Sequence, residues 1–161
     1  MTPRQAALGA ALSLLAAAPA LAQNDFCYVP GRSGVVDVEA TNTWRQLVAR
    51  QDPQLIAALA GVWYGEIAAP QLGMTSYQYR QFDANGLFQY QDKTCTDGSP
   101  LCSSNQGAGF FTAAANGDGS ILLFLIVSDL NRDHECAGSY ARFVDANTMQ
   151  DAGGTLWRRV Q

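Results

Sequence analysis

The hydrophobic positions of this chain change period at Gly61. Before it, Trp44, Leu47 and Val48 follow the i, i+3, i+4 spacing of one helical face, and Leu55, Ile56, Ala58 and Leu59 repeat the pattern. Thr41 or Asn42 can cap the first helix. Asp52 before Pro53 supplies an N-cap and an N1 proline for the second, which runs to the break at Gly61. Beyond that glycine the period moves toward two, and turn residues arrive at intervals that suit short strands. The predicted strands cover residues 62–68, 74–82, 87–94, 107–115, 120–128, 137–144, 148–151 and 155–160. Asp83-Ala84-Asn85-Gly86 sets Asn-Gly where a hairpin needs positive φ, and Asn116-Gly117-Asp118-Gly119 makes a second turn.

No long helix interrupts the strand run, so each connection can be a hairpin and the sheet antiparallel. Closure disposes of the two sheet edges most completely. The expected fold class is mainly β: an antiparallel up-and-down β-barrel of about eight strands, preceded by two short α-helices. Ile121-Leu122-Leu123-Phe124-Leu125-Ile126-Val127 is apolar on both faces, so its outward face needs a cover other than water. The N-terminal helices are the expected cover, with a binding partner as the alternative.

The first 22 residues stand apart from this pattern. Arg4 gives a positive start, Ala10 to Pro19 is apolar but too short to span a bilayer, and Ala20-Leu21-Ala22 forms an A-x-A site. These features predict a secretory signal peptide cut after Ala22, hence a periplasmic or secreted protein with no membrane span. Cleavage removes only Arg4 among the charged residues and moves the formal charge from −4 to −5. With a single lysine, Lys93, and no basic cluster, nucleic acid is not an expected partner.

All four cysteines follow the predicted cleavage site, and export favours their pairing. Cys95 and Cys102 bracket the turn-rich Thr96-Asp97-Gly98-Ser99-Pro100-Leu101, so the preferred connectivity is Cys95 with Cys102 and Cys27 with Cys136. In the loop-entropy picture the long link contributes about 4–5 kcal/mol and the short one about 2–3 kcal/mol. A zinc or redox site is not expected. C-x-x-C is missing, and His134 is the one histidine.

Chemistry is sparse. No Gly-x-Ser-x-Gly elbow occurs, and His134-Glu135-Cys136 follows Asn131-Arg132-Asp133 as part of a polar loop, so no catalytic residue, metal or cofactor is assigned. Glu66, Arg80 and Arg142 lie within strands, where a charge either faces water or points inward to orient a ligand's polar end. Together with Tyr77, Tyr79, Phe110 and Phe124, whose rings are large enough to line a barrel, they form the candidate ligand-binding set.

Three segments resemble a small bacterial lipocalin-like protein of the calycin group: Leu59-Ala60-Gly61-Val62-Trp63-Tyr64, Phe82-Asp83-Ala84-Asn85-Gly86-Leu87-Phe88 and Gly154-Thr155-Leu156-Trp157-Arg158-Arg159-Val160. The resemblance covers Leu55 to Val160; with the segments read above, the expected organisation is a signal peptide over 1–22, a lead-in with short helices over 23–60 and a lipocalin-like barrel over 61–161. The resemblance implies that Trp63 plugs the closed end under Arg158 or Arg159, with Gly61 and Trp157 in the same structural motif. The first functional expectation, for a small barrel with an aromatic interior, is non-catalytic binding of a small hydrophobic or amphipathic ligand. A protein-interaction module, such as an inhibitor of an exported hydrolase working through the stapled 95–102 loop, is the alternative. Isomerase or cyclase chemistry, which needs no triad in such barrels, comes third.

Overall fold

The computed structural model describes residues 26–160, so the predicted signal peptide lies outside the described residues. Two helices, α1 (Val38–Ala49) and α2 (Pro53–Leu59), lead into eight strands. These are β1 (Gly61–Ala69), β2 (Met74–Phe82), β3 (Leu87–Thr96), β4 (Cys102–Ala115), β5 (Ile121–Asp129), β6 (Glu135–Asp145), β7 (Thr148–Asp151) and β8 (Leu156–Val160). Each strand pairs antiparallel with the next, and β8 returns to β1 to close an up-and-down barrel. Among the described residues no helix is long and apolar enough to cross a membrane.

Local chemistry explains most boundaries. Asp52 caps α2 by accepting the Gln54 and Leu55 N–H groups at 2.9 and 3.4 Å, with Pro53 in the first turn. α1 begins earlier than expected. Asp37, not Thr41 or Asn42, is its N-cap and accepts from Ala40 N–H at 2.9 Å. Thr41 is instead buried, its hydroxyl accepting from Cys27 N–H at 3.0 Å. β4 also starts sooner than the predicted residue 107, because the ladder to β3 continues to the Cys95–Cys102 pair. That pair is a disulfide across the two strands, Cα atoms 4.1 Å apart.

Alternation along the strands yields two cores. Trp63, Phe82, Phe88, Phe111, Leu123 and Met149 point into the barrel, where Ile56 and Leu59 of α2 close the lower end. Phe124 and Ile126 point out of the same β5 and lie under Trp44 and Leu47 of α1. The helix therefore supplies the cover that the doubly apolar strand requires. Cys27, disulfide-bonded to Cys136 with Cα atoms 5.4 Å apart, anchors the lead-in against this outer core.

The closed end is sealed by side chain on backbone. Arg159 sits over the Trp63 ring, Cζ 4.4 Å from its centroid, and donates to the carbonyls of Ala60 and, at 2.6 Å, Ala58. Trp63 Nε1–H donates to the Leu59 carbonyl at 2.7 Å. Gly61 joins helix to strand at φ 132°, and a Cβ there would lie 2.6 Å from Arg159 Nη1, so backbone freedom and space both call for glycine. Arg159 is the cover; Arg158 is exposed on the outer face.

Candidate ligand pocket

β7 and β8 contain only 4 and 5 residues, whereas the other six strands have 9 to 14. Gly65–Trp157 is the uppermost pair between β1 and β8, and Ala141–Asp151 the uppermost between β6 and β7. The upper parts of β1 and β6 consequently rise with no strand between them. The wall is notched there, and the notch opens on a pocket of about 220 Å³.

Phe82, Phe88, Leu123 and Met149 form the apolar floor of this pocket. Trp157 forms one wall, its indole lying where a Cβ on Gly65 would come within 2.9 Å of the ring. Asp151, at the β7–β8 turn, fixes the indole by accepting its Nε1–H at 3.0 Å, while the other carboxylate oxygen accepts from Thr155 N–H at 2.9 Å. Arg80 enters from β2. Its guanidinium lies 5.2 Å from the Tyr90 ring centroid and 5.3 Å from that of Trp157. Both terminal nitrogens bond Asp92; Nη1 also donates to the Tyr79 carbonyl at 3.0 Å and Nη2 to Gln78 Oε1 at 3.2 Å.

Above the pocket the interior turns polar. Tyr90 donates to the buried carboxylate of Asp129, which also bonds Arg132 and accepts the Asn131 N–H at 2.7 Å. Burial by itself would raise the Asp129 pKa, but the hydrogen bonds from Tyr90, Asn131 and Arg132 outweigh it and hold the carboxyl well below the usual range. The Tyr90 hydroxyl moves the other way, raised by burial and by its bond to that carboxylate. Arg132 Nη2 completes the cluster by donating to Tyr90 at 2.7 Å. Among the described residues no group of three or more His, Cys, Asp or Glu side chains is gathered to hold a metal ion.

Of the seven candidate ligand contacts, the structure brings only Arg80 to the pocket. Tyr79 lies on the outer face against Tyr64, ring centroids 5.0 Å apart, and Glu66 accepts from the Tyr64 hydroxyl at 3.1 Å. Tyr77 shares their parity, paired opposite Glu66. Phe110 and Phe124 belong to the outer core beneath α1, and Arg142 reaches along the outside to Gln150 Oε1 at 2.7 Å. The floor residues, Trp157 as a wall and Asp151 were not in the expected set. For Phe82 and Phe88 one signal lies in Trp63. Once its ring points inward, counting by twos through the pairs Trp63–Arg80 and Phe82–Phe88 places Arg80, Phe82, Phe88 and Tyr90 inside as well.

The chain matches no family model, no curated protein and no solved structure.

Proposed function

We propose that this protein is a lipocalin-like, non-catalytic binding module of the periplasm or extracellular space that takes a small hydrophobic or amphipathic molecule through the notch. The observation that carries this reading is the 220 Å³ pocket, floored by four apolar side chains and entered where β7 and β8 are short. Concave, mostly apolar sites with a few fixed polar groups are where small molecules bind. The two disulfides are compatible with export. A methyl and indole NMR titration with toluene tests the reading. Shifts should concentrate on Leu123, Leu125, Met149 and Trp157 and vanish in Ala141→Phe, which fills the pocket. Shifts spread over the outer face, or none at millimolar probe, would sink it.

One observation favours the interaction reading. Leu72 and Leu101 are 67% and 72% exposed on neighbouring open-end loops. Those loops are joined by Asp97 N–H to the Gly73 carbonyl at 2.8 Å and by Thr75 Oγ1 to Asp97 at 2.9 Å. A rigid loop pair loses little entropy on docking. A co-purifying protein lost with Leu101→Asp but kept with Ala141→Phe would move the function to this surface.

A further inference from the structure

We propose that the pocket selects a small organic cation, an amine carrying one ring or a short apolar chain, with its ammonium group on Asp151 and its apolar body on Phe82, Phe88 and Met149. This deepens the pocket reading and rests on it. Size sets the first limit. An apolar cavity of about 150 Å³ holds benzene, and drug-sized ligands occupy about 300 Å³ or more. At about 220 Å³ the pocket has space for one ring and a short tail, not for a long acyl chain.

Charge sets the second limit. Arg80 and Asp151 are the ionisable groups lining the pocket. The Arg80 charge is matched by Asp92, and its terminal nitrogens are further occupied by Tyr79 and Gln78. Asp151 differs. Among the described residues no Lys, Arg or His lies within ion-pair distance of it, and its hydrogen bonds come from two neutral N–H groups. Arg142, on the outer side of the notch, directs Nε and Nη2 to Gln150 rather than to this carboxylate. The uncompensated charge at the pocket is therefore negative. A carboxylate uses up to about four acceptor positions, and two remain for a ligand. An ammonium donor fills them with charge-assisted bonds, whereas an anion would meet repulsion from Asp151 and an Arg80 that is already engaged.

Three probes of nearly equal size separate the possibilities by calorimetry and methyl NMR: 2-phenylethylamine, 2-phenylethanol and phenylacetate. The amine should bind at least about tenfold more tightly than the alcohol, with the acid weakest, as expected for a charge-assisted bond over a neutral one. Asp151→Asn should abolish the amine's advantage over the alcohol, whatever affinity the two probes lose in common because the amide can accept from only one of Trp157 Nε1–H and Thr155 N–H. If that variant does not fold, the ranking on the unaltered protein decides. Alcohol binding equal to the amine, or tighter binding of the acid, overturns the cation rule while leaving the pocket reading in place. No pocket shift with any of the three overturns both.

Discussion

The lower and upper halves of the barrel interior come from the same alternation, yet they accommodate burial in opposite ways. Below, Trp63, Phe82, Phe88 and Phe111 fill the space, and the polar atoms of Trp63 and Arg159 bond the last carbonyls of α2. Above, β2, β3 and β5 send Arg80, Tyr90, Asp92 and Asp129 inward, and each carries a charged or hydrogen-bonded partner. Volume holds one end and pairing holds the other. The pocket lies at the boundary, with floor residues from the lower half and Arg80 from the upper. An amphipathic ligand suits a site placed there because both kinds of environment are within its reach.

The largest loss of stability is expected at Trp63. Trp63→Ala should cost about 3–5 kcal/mol, since the ring is fully buried and a stopper leaves a cavity that α2 and the barrel refill only in part. A shift in denaturant midpoint at unchanged slope measures it. A loss below about 1 kcal/mol would mean that the closed end is not held by volume.

Asp129 probes the opposite half. Asp129→Asn should cost about 2–3 kcal/mol near pH 7, because Tyr90 and Arg132 keep donors aimed at a group that no longer carries charge. The sign of the pH dependence follows from the lowered pKa. The carboxylate's contribution is complete above its unfolded value of about 3.9 and is lost as pH falls toward the folded one. Stability curves of the parent and the variant should therefore converge below about pH 4. Parallel curves down to acid pH would remove the charge-pairing account of the open end.

Arg159 comes next, and the same experiment on Arg158 sharpens it. Arg159→Met should cost about 1–2 kcal/mol through the lost cation–π contact and the two uncapped carbonyls. Arg158→Met, on the exposed face, should stay within about 0.5 kcal/mol. Equal losses would deny Arg159 its place as the cover.

What was legible in the chain was what is decided locally. Asp52-Pro53 caps a helix and Asn85-Gly86 turns a hairpin whatever the barrel does, with Gly86 at φ 81°. The doubly apolar β5 announced a cover because both of its faces needed one. Sidedness was not legible in β2. Tyr77 and Tyr79 are as large as Phe82, and the parity that separates them is set by pairing with β1 and β3 rather than by composition. The first half of β4 was missed for a related reason. Its residues Ser103, Ser104, Asn105 and Gln106 look like loop, yet they pair with β3 where the interior itself is polar, and Asn105 donates to the Tyr90 hydroxyl at 3.3 Å. The pocket depends on strand lengths around a closed ring, so no single segment could disclose it.

The smallest effect falls outside both halves, in the layer between wall and helices. Thr112 is fully buried beside Phe124, and among the described residues its Oγ1 has no hydrogen-bond partner. Threonine and valine have nearly the same shape. Thr112→Val therefore exchanges an unpaired hydroxyl for a methyl without opening space, and removing such a group while keeping the contour is neutral or stabilising. The expected gain is up to about 1 kcal/mol, read as a rise in thermal midpoint of a few degrees for a domain of this size. A loss of about 0.5 kcal/mol or more would show that the hydroxyl has a partner, such as a trapped water. The interlayer would then resemble the upper interior, held by pairing, and not the lower one, held by fit.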